Sequence, residues 1–329
     1  MNKGRWRVTH VRLKSFFVVA ILLGLSIPVV ASVHTGSALV EVDSDLEHGQ
    51  KVWSRKAYQD STMQWGRYRI SGIYKGLVIL DDFTRLHWQN QGSSTPISWS
   101  QEASPGSAQR YCDRLSQGGY TDWRVPSVLE LQSLVDYTVF LGPMINSIAF
   151  PFTPADFFWA SSDNAASPNY AWGVDFRGGS TQMREGNSSG YLRCVRGSYP
   201  STADRYVNEK GSPLTPSSEQ VKDRGTGLIW QRGILSLANQ SAASGYCETL
   251  KLGRASWKLP TIKELGTLVN NKLFDPSLNK TVFPGPSLLS LWSSSRDSKG
   301  VGLWYQRFFI GETGVTPLEF PLFARCVRR

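Results

Sequence analysis

Four cations crowd one short stretch of the chain: Lys251, Arg254, Lys258 and Lys263. Lysine ammoniums act as point charges and a guanidinium forks onto two oxygens, so such a group suits sulfate or carboxylate. An earlier stretch with the same surrounding pattern carries Asp113, Asp122 and Arg124 instead. Other chemistry finds little support. No Gly-x-Ser-x-Gly, His-Glu-x-x-His or phosphate loop occurs, and no two carboxylates stand at a defined spacing. The chain has four Cys and four His, with no Cys-x-x-Cys pair, which argues against zinc and thiol redox chemistry. The residues predict a binding protein with no catalytic group, metal or cofactor.

The elements that must position these cations occur twice. Tyr111-Cys112, Trp123-Arg124-Val125-Pro126 and Glu130-Leu131 return as Tyr246-Cys247, Trp257-Lys258-Leu259-Pro260 and Glu264-Leu265. Trp159 and Trp172 match Trp292 and Trp304, and each copy closes on Arg-Cys-Val-Arg, at 193–196 and 325–328. A period of roughly 135 residues is the length of a whole domain and far exceeds a solenoid unit. Ser127 with Glu130 and Thr261 with Glu264 have capping-box spacing, and Leu131, Leu134 and Val135 then give one apolar helix face. An earlier helix is expected from Ser104-Pro105 through Ala108, Cys112 and Leu115 to Gly118. Segments such as 170–176 and 302–309 read as strands, and each closing tetrapeptide as a last strand. The fold class is therefore α+β, two helices per copy among short strands and long loops.

Four cysteines allow three connectivities. The repeat favours Cys112 with Cys194 and Cys247 with Cys326, because each copy then closes on its own helix and last strand. An oxidising compartment fits the N-terminus, where five Lys and Arg within residues 1–14 precede the apolar run Phe16 to Val30. That order predicts a signal peptide over 1–31, cleaved after Ala31, since the run falls short of the ~20 residues a spanning helix needs. An extension of no evident motif covers 32–66, the copies cover 67–197 and 205–329, and a linker of residues 198–204 joins them. The wider stretch 197–220, rich in Ser, Pro and Thr, predicts some freedom between them. A fragment from about Tyr206 to Arg329 is accordingly expected to fold alone.

Charge divides the copies. From Arg205 onward there are 17 Lys and Arg against 9 Asp and Glu, whereas residues 32–204 hold 14 against 17. The basic half calls for an anionic partner. Trp123, Trp159, Trp172 and their counterparts Trp257, Trp292 and Trp304 are expected to hold the fold, since copies of such different charge would hardly share one ligand. Arg193 and Arg325 are candidate partners for Glu130 and Glu264.

In order, Asp223-x-x-Thr226-Gly227-Leu228-x-Trp230, Tyr-Cys, Asp122-Trp-Arg-x-Pro-Ser-x-x-Glu-Leu, Trp-x-Ser-Ser and Arg-Cys-Val-Arg-Gly resemble the Lcl C-terminal-domain-like family. Arg85 departs from the glycine of the opening phrase, and Ser256 and Lys258 depart around the second Trp-Pro turn. The resemblance implies two tandem C-type-lectin-like domains in an exported bacterial protein of the periplasm, cell surface or extracellular space. Its namesake, a collagen-like adhesin, implies binding of acidic or sulfated polysaccharide. The calcium-dependent sugar signatures Glu-Pro-Asn, Gln-Pro-Asp and Trp-Asn-Asp are absent. The predicted partner is an acidic glycan at Lys251, Arg254, Lys258 and Lys263. The alternative is a scaffold for envelope or surface proteins. Neither nucleic acid nor a membrane span after cleavage is expected.

Overall fold

The structure is a computed structural model that describes residues 53–71, 76–99, 107–197, 204–253 and 256–329. The expected signal peptide, residues 32–52 of the extension, Arg254 and most of the linker lie outside the described residues. A 3-10 turn at Arg55–Tyr58 leads into the first copy. That copy runs β1 (Tyr68–Ser71), β2 (Val78–Asp81), β3 (Leu86–Gln89), β4 (Ile97–Ser98), α1 (Ala108–Asp113) and α2 (Val128–Ser133). It continues through β5 (Phe157–Trp159), β6 (Tyr170–Asp175), β7 (Ser180–Glu185), β8 (Ser189–Gly190) and β9 (Val195–Arg196). The second copy repeats the order. Its elements are β10 (Tyr206–Val207), β11 (Gln220–Asp223), β12 (Ile229–Gln231), β13 (Leu235–Ala238), α3 (Gln240–Thr249) and α4 (Ile262–Gly266). It ends with β14 (Ser290–Arg296), β15 (Leu303–Arg307), β16 (Thr313–Thr316), β17 (Leu322–Ala324) and β18 (Val327–Arg328).

Each copy builds two sheets in the same way. The first is antiparallel, ordered β1-β2-β3-β9 or β10-β11-β12-β18, so an early strand pairs with the last one. The second is ordered β13-β17-β14-β15-β16, with one parallel pairing at Leu291 and Phe323. In the first copy the parallel pairing shrinks to a bridge between Phe158 and Tyr191, which joins β4-β8 to β5-β6-β7. Both capping boxes form as expected, with Ser127 and Thr261 accepting from the Glu130 and Glu264 amides. The first helix is capped by Ser107, whose Oγ accepts from the Arg110 amide, while the expected start at Ser104-Pro105 lies outside the described residues.

Cys112–Cys194 and Cys247–Cys326 are both bonded, joining α1 and α3 to the chain just before each last strand. Around each bridge sits a small core holding Trp123 and Trp159, or Trp257 and Trp292. These four indoles donate to the carbonyls of Tyr120, Ile97, Leu252 and Ala238. Trp88, Trp172, Trp230 and Trp304 are equally buried, yet their N–H groups have no acceptor among the described residues. The repeated tryptophans are thus core residues, with burial rather than hydrogen bonding as the common factor.

The largest core belongs to both copies. Leu131, Leu134, Trp172 and Phe176 pack in one cluster with Leu265, Leu268, Trp304 and Phe308. Tyr137 meets Trp304 edge-on at 5.2 Å. Gly311 takes φ +87°, and a Cβ there would stand 3.1 Å from the Trp172 ring of the other copy. A Cβ on Gly266 of α4 would stand 2.4 Å from the Gln132 side chain of α2. The edge strands β7 and β16 also meet, where Thr181 N–H donates to Thr313 Oγ1 at 2.8 Å. The expectation of two loosely linked domains is therefore corrected. A linker of flexible composition sets no freedom when the faces it joins are apolar and mutually buried. The described residues fall in one compact unit.

The described part of the N-terminal extension, residues 53–66, opaque in sequence, is a strap across that junction. Trp53, Ala57 and Tyr58 are buried in the shared core. The Tyr58 carbonyl accepts from Thr261 Oγ1 at 2.8 Å, and the Asp60 carboxylate accepts from Ser295 Oγ at 2.5 Å. The Asp60 carbonyl accepts from Tyr137 N–H at 3.0 Å. Residues of both copies therefore hold the same short segment.

Candidate functional site

The expected patch of four cations does not assemble. Lys263 is buried (2% exposed), and its ammonium donates to the Ser133 carbonyl at 3.2 Å across the junction. It also lies 5.8 Å from the Tyr137 ring. Lys258 pairs with Glu264 at 3.1 Å, where Arg329 also binds at 2.9 Å. In the first copy Arg124 holds Glu130 in the same way, at 2.6 Å. Lys258 thus replaces Arg124 in a structural pair, and only Lys251 of the described three stands exposed and without an ion-pair partner.

Arg193 and Arg325 do not meet the glutamates either. Each is buried, donating to the carbonyls of Gln89 and Asn90, or of Gln231, Arg232 and Pro284. Arg193 also reaches Thr153 Oγ1 at 2.7 Å. Each guanidinium sits 4.8 Å from a phenylalanine ring, Phe150 or Phe283. Burial pulls both down to about 9. A second repeated pair escaped the sequence reading: Arg67-Tyr68 and Arg205-Tyr206. Arg67 binds Asp81 and the Ser133 carbonyl, and Arg205 binds Asp223 and the Thr267 carbonyl. The repeated Arg-Tyr dipeptide was the available signal.

Lys263 carries a measurable consequence. Burial first, then nearby Arg67, hold its ammonium down to about 7, while Asp60, Asp136 and Asp81 pull the other way. Asp60 is raised above the usual carboxylate range, chiefly by burial, against its Ser295 bond and Lys263. A base lowered on folding costs stability wherever it must stay protonated, and the cost fades as pH rises from 7 towards its ordinary 10.5. Stability should therefore rise across that window by on the order of 2–4 kcal/mol. Denaturation midpoints at pH 6 and pH 9 check this. Lys263→Met should flatten the rise, and an unchanged slope would show that the lysine does not cause it.

Cationic surface survives elsewhere on the second copy. Register places Val207, Lys222, Ile229 and Arg328 in one row across β10-β11-β12-β18. Lys222 is exposed and has no ion-pair partner among the described residues. The turn after α3, which carries exposed Lys251, brings Gly253 against the side chain of Gln220, two residues before Lys222 on β11. Arg328 binds Gln220 and Glu209 and covers the Trp257 ring at 5.4 Å. At the equivalent positions the first copy has Leu80 and Ser116, and its row cations Arg69 and Arg196 are neutralised by Asp82 and Asp122. Lys222 and Lys251 are thus two of the exposed cations of the second copy that stand where the first copy has uncharged residues, alongside the exposed Lys210, Lys280, Arg296 and Lys299. Strand alternation, with Val221 and Asp223 inward, was the signal for Lys222.

A concavity lies between the copies. A cleft of about 420 Å³ is lined by Ser127, Ser161, Ser162 and Asp163 of the first copy, facing Arg205 and the 268–272 segment of the second. Asp163 and Lys272 pair loosely at 3.8 Å, both well exposed. Among the described residues no cluster of three His, Cys, Asp or Glu could hold a metal, and no helix is long and apolar enough to cross a membrane.

A search of curated proteins finds none that matches this chain. The Lcl C-terminal domain family matches twice, over residues 77–196 and 219–328. Those limits enclose both disulfides, both capping boxes, and Arg193 and Arg325. The match spans most of the chain, and with two matched copies in one sequence the protein belongs to the Lcl C-terminal domain family.

Proposed function

We propose that this is an exported binding protein whose second copy meets an acidic or sulfated polysaccharide through exposed cations that include Lys222 and Lys251. The observation that carries this is the exposed cationic pair on the second copy, where the first has Leu80 and Ser116. Two disulfides fit a chain that matures in an oxidising compartment. The signal peptide remains part of the proposal. So does the reading of each copy as C-type-lectin-like, supported by pairing of an early strand with the last and by the helix-to-strand bridge. Exposed charge contacts are screened over ~8 Å at physiological salt, so binding to a sulfated chain should fall steeply as salt rises. Titration of the full chain against heparin-like and neutral polysaccharides at two salt concentrations tests this. Equal affinity for both, or indifference to salt, would exclude the reading.

One observation favours a scaffold for protein partners as second reading. A single stretch of the first copy exposes Phe140, Leu141, Ile148 and Phe152, the last at 87%. Large apolar side chains held in solvent mark contact surfaces when they gather. No reaction is proposed for either surface.

A further inference from the structure

We propose that Asn187 is an acceptor for an N-linked oligosaccharide delivered on a lipid-diphosphate carrier. The proposal rests on the reading of the chain as exported. An asparagine followed two residues on by Ser or Thr, with no proline between, is the acceptor pattern of secreted proteins. The sequence holds it three times, at Asn187-Ser188-Ser189, Asn239-Gln240-Ser241 and Asn279-Lys280-Thr281. Two of the three carboxamides are already engaged in the fold. Asn239 caps α3, its Oδ1 accepting from the Ala242 amide at 2.9 Å, and Ser241 lies inside that helix. Asn279 Oδ1 accepts from the Thr281 and Val282 amides at 3.1 and 3.2 Å. Asn187 and Ser189 are exposed, and their side chains have no hydrogen-bond partner among the described residues.

The fold presents this site without depending on it. Asn187 sits in the tight turn from β7 to β8, closed by the Ser188 N–H on the Glu185 carbonyl at 2.9 Å. Gly186 anchors the turn, its N–H donating to the Asn169 carbonyl at 2.8 Å. At the equivalent positions the second copy has Glu319, Phe320 and Pro321, so the shared framework does not call for Asn or Ser here. Glu185, two residues ahead, adds an exposed carboxylate that a cationic transferase groove can pair with, and its present partner is the Tyr170 hydroxyl at 3.2 Å. The same position ahead of the other two patterns holds Leu237 and Ser277. In the transfer, Asn187 Nδ2 attacks the anomeric carbon of the carrier-linked sugar. The N–C bond forms as the bond from that carbon to the diphosphate oxygen breaks. The lipid diphosphate leaves with the electron pair, and Nδ2 gives up one proton. Ser189 is a positioning residue, its hydroxyl orienting the carboxamide for attack.

The test is peptide mapping by mass spectrometry of the oxidised full chain, after incubation with a purified oligosaccharyltransferase and a polyprenyl-diphosphate-linked oligosaccharide. The peptide bearing Asn187 should gain the mass of the oligosaccharide, and those bearing Asn239 and Asn279 should not. Asn187→Gln and Ser189→Ala should each abolish the gain, Ser189→Thr should retain it, and Glu185→Gln should lower the modified fraction. A bare Asn187, while a free Glu-Gly-Asn-Ser-Ser peptide is modified in the same reaction, would overturn the proposal. Equal modification of all three asparagines would do the same. Production of the full chain in an exporting host that carries the transferase separates this proposal from the export reading. A chain cleaved after Ala31, with both disulfides formed and Asn187 bare, overturns the acceptor site alone. A chain that keeps residues 1–31 and four free thiols overturns the export reading on which the site depends.

Discussion

A fragment of residues 205–329 will not fold as a stable monomer, although it contains a complete sheet pair, both helices and its own disulfide. Leu265, Leu268, Trp304 and Phe308 are buried in a core whose other half is Leu131, Leu134, Trp172 and Phe176. Cutting the chain leaves that face in water, and fully exposing such side chains costs about 1.5–3 kcal/mol each. Four of them match the whole margin of a typical domain, about 5–15 kcal/mol. The fragment also loses the strap, which anchors to Thr261 and Ser295. Near-UV circular dichroism and sedimentation of the oxidised fragment should report either lost tertiary packing or self-association through the exposed face. A monomeric, cooperatively melting fragment would show that the shared core contributes little. For the full chain the same argument predicts a single unfolding transition rather than two.

Loss of both disulfides should be nearly as damaging. The bonded cysteines are 82 and 79 residues apart. In the chain-entropy picture each loop of that size stabilises by about 4–4.5 kcal/mol, so the pair carries roughly twice that. Cys112→Ala with Cys194→Ala, made together, should lower the denaturant midpoint substantially, and the four-fold replacement should leave little folded protein. A four-fold variant as stable as the native chain would refute this. It would also remove one reason for placing the protein in an oxidising compartment.

The legible parts of this fold were those with a local rule. Capping boxes follow from Ser127, Glu130, Thr261 and Glu264, and the disulfide pairing follows from the repeat. Contacts between the copies have no such rule. The apolar face Leu131–Leu134–Val135 reads identically whether it packs inside its own domain or against a neighbour. Arg193 and Arg325 read as partners for Glu130 and Glu264, because sequence does not reveal that backbone carbonyls from a distant strand end gather around them. Lys263 was misplaced for an avoidable reason: it aligns with Leu129, an apolar position of the other copy. A cation at a position that is apolar in the sister copy deserved a buried assignment. Lys222 was overlooked because it lies in a short strand far in sequence from the cluster around the Trp-Pro turn.

The central claim is that exposed cations of the second copy, Lys222 and Lys251 among them, recognise an acidic polymer, and one comparison tests it most directly. The full chain and its Lys222→Ser/Lys251→Ser variant, both confirmed to share one melting temperature, should be titrated with a sulfated polysaccharide at low salt. Both lysines are exposed and unpaired among the described residues, so the substitution should spare the fold. The account predicts salt-sensitive binding by the native chain and loss of most of that affinity in the variant. Binding of undiminished strength in the variant, or none by the native chain at low salt, would contradict it.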